Sequence, residues 1–112
     1  RGVRQDDAEA VRWYWQAAAQ GDARAQNNLG FMYEEGRGVR KDDAEAVRWY
    51  RQAAEQGYAA AQNNLGVMYD EGRGVRQDDA EAVKWYRQAA AQGDVQAQNN
   101  LGFMYAEGRG VR

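Results

Sequence analysis

The side chains able to do chemistry in this sequence are carboxylates, amides, phenols and the cationic heads of Arg and Lys, because His, Cys, Ser and Thr are all absent. Without them the chain has no imidazole base, thiolate or aliphatic hydroxyl, so a nucleophile–base pair or triad cannot be assembled within it. Zinc sites built on thiolate and imidazole are excluded on the same ground. What remains is a carboxylate pair, which can hydrolyse glycosides when held about 5 to 9.5 Å apart around a cleft, and no spacing marks such a pair. Asp6, Asp7 and Glu9 could attract a cation, but acidic residues at a helix start are explained by capping and the helix dipole. No catalytic residue, metal ligand or cofactor is assigned, and the expectation is a protein that is not an enzyme.

The Gly36-Arg37-Gly38 stretch precedes a helix as a phosphate-cradling loop would, but no Lys-Ser or Lys-Thr follows and the motif recurs, which reads as a turn. Fifteen basic and 17 acidic residues leave a net charge of -2, too balanced to steer the chain to nucleic acid or an anionic membrane. No apolar run approaches the roughly 20 residues needed to span a bilayer. With no cysteine, neither redox compartment is excluded, and localisation stays open.

The elements that position these groups follow from a repeat. Residues 5–40, 41–76 and 77–112 align without gaps, with 27 identical positions and nine variable ones, so one 36-residue unit recurs three times in a single domain spanning 1–112. Glycines punctuate each unit in the absence of proline. In the first, Asp6 to Gln20 reads as a helix, with Asp6 capping it, Glu9 reaching back in a capping box and Gly21 closing it. Ala10, Val11, Trp13, Tyr14, Ala17 and Ala18 give it a broad apolar face. A second helix starts after the cap Asp22 and carries Ala25, Leu29, Met32 and Tyr33 at i, i+4, i+7 and i+8. Gly30, Gly66 and Gly102 lie mid-helix, where glycine costs about 1 kcal/mol against alanine, and are expected to admit a bulky Trp or Tyr from a neighbouring outer helix.

The runs Ala-Gln-Asn-Asn-Leu-Gly-Phe-Met-Tyr, Glu-Gly-Arg-Gly-Val and Asp-Asp-Ala-Glu-Ala-Val-Arg-Trp-Tyr-Arg-Gln-Ala-Ala-Glu-Gln-Gly resemble Sel1-like repeats, relatives of the tetratricopeptide repeat, over the entire chain. The resemblance implies an all-α fold, a right-handed superhelix of antiparallel helix pairs with six helices here. The Asn-Asn-Leu-Gly helices would line its concave side and the Trp-Tyr helices its convex side. It also implies an adaptor that holds other proteins in complexes. In that family's phase the chain starts on an outer helix and ends on an inner one, which suggests a fragment of a longer array or head-to-tail stacking of chains.

On this reading residues 24, 28, 31 and 35 and their equivalents in the other units share the groove face, presenting Arg24, Asn28, Phe31, Asn64, Val67, Gln96, Asn100 and Phe103. Related repeats hold an extended peptide's backbone or terminal carboxylate with the corresponding Asn, and an amide supplies both donor and acceptor. The alternative is that Asn28, Asn64 and Asn100 bond loop backbone between repeats. Adjacent asparagines point about 100° apart on a helix, so one of each pair can serve structure and the other a ligand. Trp15 stands where the other copies have Arg51 and Arg87, and is expected to pack a terminus or mediate self-association. Tyr58 replaces the capping Asp22 and Asp94. The expected function is a scaffold that binds a protein or peptide in the groove, and the alternative is a structural module that self-associates end to end through its uncapped terminal helices.

Overall fold

The computed structural model describes residues 2–111. Among them are six helices and no strand: α1 Gly2–Ala19, α2 Ala23–Glu35, α3 Asp43–Glu55, α4 Ala59–Glu71, α5 Asp79–Ala91 and α6 Val95–Glu107. Each helix packs on its neighbour in sequence, giving an all-α solenoid of 48 × 22 × 21 Å. The outer helices are α1, α3 and α5, and the inner ones α2, α4 and α6.

The caps follow the sequence in units two and three and depart from it in the first. Asp42 and Asp78 accept hydrogen bonds from the main-chain N–H of Glu45 and Glu81, both at 3.1 Å. Only half of the capping box forms. Glu45 turns outward to Arg48 at 3.0 Å, and the Asp42 N–H instead donates to the Tyr33 carbonyl of the preceding inner helix at 2.9 Å. The α1 helix begins at Gly2 rather than at an Asp6 cap, which leaves Asp6 inside the helix. The loops before α3 and α5 are pinned by the carbonyls of Tyr33 and Tyr69, and among the described residues no such carbonyl holds the start of α1. Asp22 and Asp94 cap α2 and α6, while Tyr58 makes no side-chain cap bond and packs on the central core.

The core is built between units as much as within them. Trp49 of α3 joins Val11, Ala18, Ala25, Leu29 and Met32 of the first unit, and Trp85 of α5 joins the cluster around Tyr50 and Leu65. Mid-helix glycines make this possible. A Cβ at Gly30 would lie 2.7 Å from the Tyr50 ring, and one at Gly66 2.6 Å from the Tyr86 ring. Gly102 departs from the expectation, since a Cβ there would meet nothing within 4 Å. The Gly-Arg-Gly stretches are turns: Gly36 and Gly38 have φ of 68° and 73°, and a side chain at Gly38 would collide with the Asp7 carbonyl.

Candidate functional site

The three inner helices are tied side by side through their asparagines. The Asn64 Nδ2 donates to Asn27 Oδ1 and the Asn100 Nδ2 to Asn63 Oδ1, each at 3.0 Å. The bonds run from amide to amide across units rather than to loop backbone. Both members of the central pair, Asn63 and Asn64, therefore take structural roles, yet among the described residues neither Asn64 Oδ1 nor Asn100 Oδ1 accepts a protein hydrogen bond. Gln96 is held as well, accepting from Asn63 Nδ2 at 3.5 Å.

Around this ladder lie the other residues expected on the face. Phe31 and Phe103 are 41% and 53% exposed, and Val67 between them is half-buried. The Arg37 guanidinium sits 5.9 Å from the centre of the Phe31 ring, a cation–π contact that fixes one side of it. Arg24 and Asn28 line a cleft of about 370 Å³ with Tyr14, Ala17, Asp22 and Ala25. Arg24, Asn28, Phe31, Asn64, Val67, Gln96, Asn100 and Phe103 are thus spread over α2, α4 and α6 instead of converging on one point, which suits a long ligand and not a reacting centre.

The loop arginines Arg37, Arg73 and Arg109 are committed to the fold. Arg73 pairs with Glu34 at 3.0 Å and Asp43 at 3.5 Å, and Arg109 with Asp70 at 2.6 Å and Asp79 at 2.7 Å. Hydrogen bonds donated to Asp79 and Asp70 hold the Arg109 pKa above its ordinary value, and the Asp79 carboxyl is pushed below its own chiefly by the bond from Arg109. Arg37 pairs with Asp7 at 2.9 Å. Burial, then Glu34, pushes the Tyr50 phenol up, and burial, then Asp70, does so for Tyr86. The phenol protons are donated to Glu34 at 2.6 Å and Asp70 at 3.1 Å.

Trp15 stacks edge-on against Trp49 at 5.1 Å, on the side of α1 that meets the following unit. Trp13, which sequence reasoning placed in the core, is 60% exposed, whereas its counterparts Trp49 and Trp85 are 4% and 6% exposed. Trp49 and Trp85 each pack on the preceding inner helix, and among the described residues no inner helix lies against Trp13. Position 34 of the unit, occupied by Glu34, Asp70 and Ala106, was also passed over although it varies among the copies. Among the described residues no helix is long and apolar enough to cross a membrane.

A family model described as Sel1 repeat matches residues 1–22, 23–58, 59–94 and 95–112. Among solved structures the chain is similar to c5321, a protective antigen of uropathogenic Escherichia coli with an SLR fold, at 52% identity and a TM-score of 0.91, over 93% of this chain and 22% of that one. It is similar to a Sel1 repeat protein from Oxalobacter formigenes at 47% identity and a TM-score of 0.87, over 94% of this chain and 43% of that one. Helicobacter pylori cysteine rich protein B matches at 26% identity and a TM-score of 0.77, over 81% of this chain and 68% of that one. The chain thus spans less than half the length of the first two. No curated protein sequence matches it.

Proposed function

The chain belongs to the Sel1 repeat family of non-catalytic interaction scaffolds, and on that premise we propose that its inner-helix face holds an extended peptide segment of a partner protein. Family members generally mediate protein–protein interaction. The observation that carries the finer reading is that Phe31 and Phe103 remain exposed on the face where Asn64 and Asn100 keep an amide oxygen without a protein partner. Because one Nδ2 hydrogen of each amide is spent on Asn27 or Asn63, the free oxygens accept from the N–H groups of an extended backbone. Each amide also keeps a second Nδ2 hydrogen to donate to a backbone carbonyl of the peptide. Phe31, Val67 and Phe103 supply apolar contact to alternate side chains of the peptide, and Arg24 selects an acidic one near the cleft.

The test is selection from a displayed library of peptides blocked at both ends, followed by titration of the winners against the native chain, Phe31→Ala and Phe103→Ala. Buried aromatic contacts at peptide interfaces are worth about 2 kcal/mol or more on truncation, so affinity is expected to fall roughly 30-fold in each variant. A library that yields no binder, or binders indifferent to both substitutions, would refute the assignment.

A further inference from the structure

The rim of the inner face carries charges that the fold does not explain. Each inner helix ends on a glutamate, Glu35, Glu71 or Glu107, and all three are exposed. None of these helices has a basic residue in its last turn. A carboxylate at the negative pole of a helix is unfavourable, so these residues weaken the helices they terminate, yet they are identical in the three copies. The cations close by are outnumbered. Arg73 pairs with Glu34, Asp43 and Glu71, and Arg109 with Asp70 and Asp79. Arg37, two residues after Glu35, is held by Asp7. Arg40 and Arg76 lie at the other end of their loops, two residues before the caps of α3 and α5. The inner rim keeps an excess of negative charge.

The same elements recur along the face at a fixed step. Asn64 bonds Asn27 and Asn100 bonds Asn63 through the same atoms at the same 3.0 Å, and helices packed side by side lie about 8 to 10 Å apart. In the middle unit, which has a neighbour on each side, Val67 is half-buried and Glu71 exposed. One step takes about three residues of an extended chain. In a β-strand the third side chain points to the opposite face, so a strand that seats one side chain on Phe31 turns the next away from Val67. A polyproline II helix has three residues per turn and rises about 3.1 Å per residue, so one turn covers about 9 Å and returns the same edge to the face. Its backbone makes no internal hydrogen bonds, which leaves its N–H and C=O groups for the amides.

We propose that the partner segment is a polyproline II stretch with a three-residue period: one position is apolar and lies on Phe31, Val67 and Phe103, and an adjacent one is Lys or Arg and meets Glu35, Glu71 and Glu107. This rests on the inner-face peptide groove proposed above and adds a conformation and a charge to its ligand. The order of the two positions within the triplet follows the direction in which the peptide runs. Proline at the third position fixes the conformation and spares the N–H groups of the other two.

Fluorescence anisotropy with end-blocked, dye-labelled nonamers tests the proposal. The probes are three repeats of Leu-Lys-Pro, three of Lys-Leu-Pro, three of Leu-Glu-Pro, and a peptide of the first composition shuffled out of the period. One of the two periodic lysine peptides is expected to bind roughly tenfold more tightly than the glutamate and shuffled peptides, with an affinity that falls as salt rises. Combining Glu35→Gln, Glu71→Gln and Glu107→Gln should weaken it roughly tenfold while Tm stays level or rises, because the carboxylates oppose the helix dipoles. Neither lysine peptide binding, equal affinity for the shuffled one, tighter binding of the glutamate peptide, or indifference to the triple substitution overturns the proposal. Binders from the unbiased library that need Phe31 but share neither period nor charge overturn this inference alone, and a library without binders overturns the groove with it.

Discussion

Replacing Gly66 and Gly102 separately with alanine sets helix propensity against packing at two positions that are identical in the repeat. In both, alanine gains about 1 kcal/mol of intrinsic helix stability over glycine. At Gly102 the new methyl meets nothing within 4 Å, so that gain is expected in full. At Gly66 the Cβ lies 2.6 Å from both Cδ1 and Cε1 of Tyr86 and 3.3 Å from its Cζ. The ring cannot swing aside cheaply: Tyr86 is fully buried and its hydroxyl is anchored on Asp70 at 3.1 Å. Overpacking of this kind costs about 1 to 3 kcal/mol, and displacement of the anchored hydroxyl favours the upper part of that range. The net expectation for Gly66→Ala is a loss of about 1 to 2 kcal/mol. Urea unfolding followed by circular dichroism measures both. In a domain of this size the Tm should rise by roughly 4 to 8 °C for Gly102→Ala and fall by a comparable amount or more for Gly66→Ala. Stabilisation of similar size in both variants would refute the close Tyr–Gly packing on which the solenoid is argued to rest.

Asp94→Ala should cost about 1 kcal/mol through loss of the bond that the cap accepts from the Ala97 N–H at 2.9 Å; equilibrium unfolding of the variant checks it. Tyr58→Ala has no cap bond to lose and should be destabilised through its contact with the central core. At high pH the buried Tyr50 and Tyr86 hold their protons in the folded chain beyond the ordinary phenol value. The folded state then binds more protons than the unfolded one, so stability is expected to decline as pH rises above about 10. Phenolate absorbance should show two of the seven tyrosines titrating only with unfolding. At low pH the sign is reversed. Asp79 is held below its ordinary carboxylate value by Arg109 and Asp43 is also lowered, its burial outweighed by bonds from Lys41 and Arg73. Their contribution is present above about pH 4 and lost as pH falls through the lowered values. Unfolding of Arg109→Gln across that range should show a shallower acid dependence than the native chain.

The helix pairs were readable because their signals are local. Glycine at a positive φ, such as Gly21 at 96°, closes an outer helix, and an Asp two or three residues ahead of a main-chain donor opens an inner one. Contacts between units were not legible in the same way. The start of α1 depended on whether a carbonyl such as that of Tyr33 precedes it, nine residues upstream in the equivalent case at Asp42. The amide chemistry of Asn64 was evident from its type, but its partner Asn27 is 37 residues away and is chosen by the superhelical step. The exposure of Trp13 follows from the same step, since a residue identical in all three copies is buried only where the preceding unit exists to cover it.

Variation among the copies separates two uses of the repeat that identity alone conceals. Asn27, Asn28 and their equivalents never change, and altering Asn27, Asn63, Asn64 or Asn100 would break the bonds that join the inner helices. On the proposed peptide face the variable positions are 24 and 31, carrying Arg24, Ala60 and Gln96, and Phe31, Val67 and Phe103, and of these Gln96 also bonds the ladder through Asn63. Position 34 varies for a different reason. Its carboxylate links the phenol of the next outer helix to the arginine of the next loop, so changing it to alanine alters the attachment of one unit to the next without touching the groove. Substitutions at positions 24 and 31 should therefore alter which peptide binds at constant stability, whereas substitutions at position 34 should alter cohesion between units at constant peptide preference. A cycle combining Phe31→Ala with Asp70→Ala tests that separation. The two effects should add, as expected for sites that share no partner, and a coupling of about 1 kcal/mol or more would show that the groove and the joints are one device.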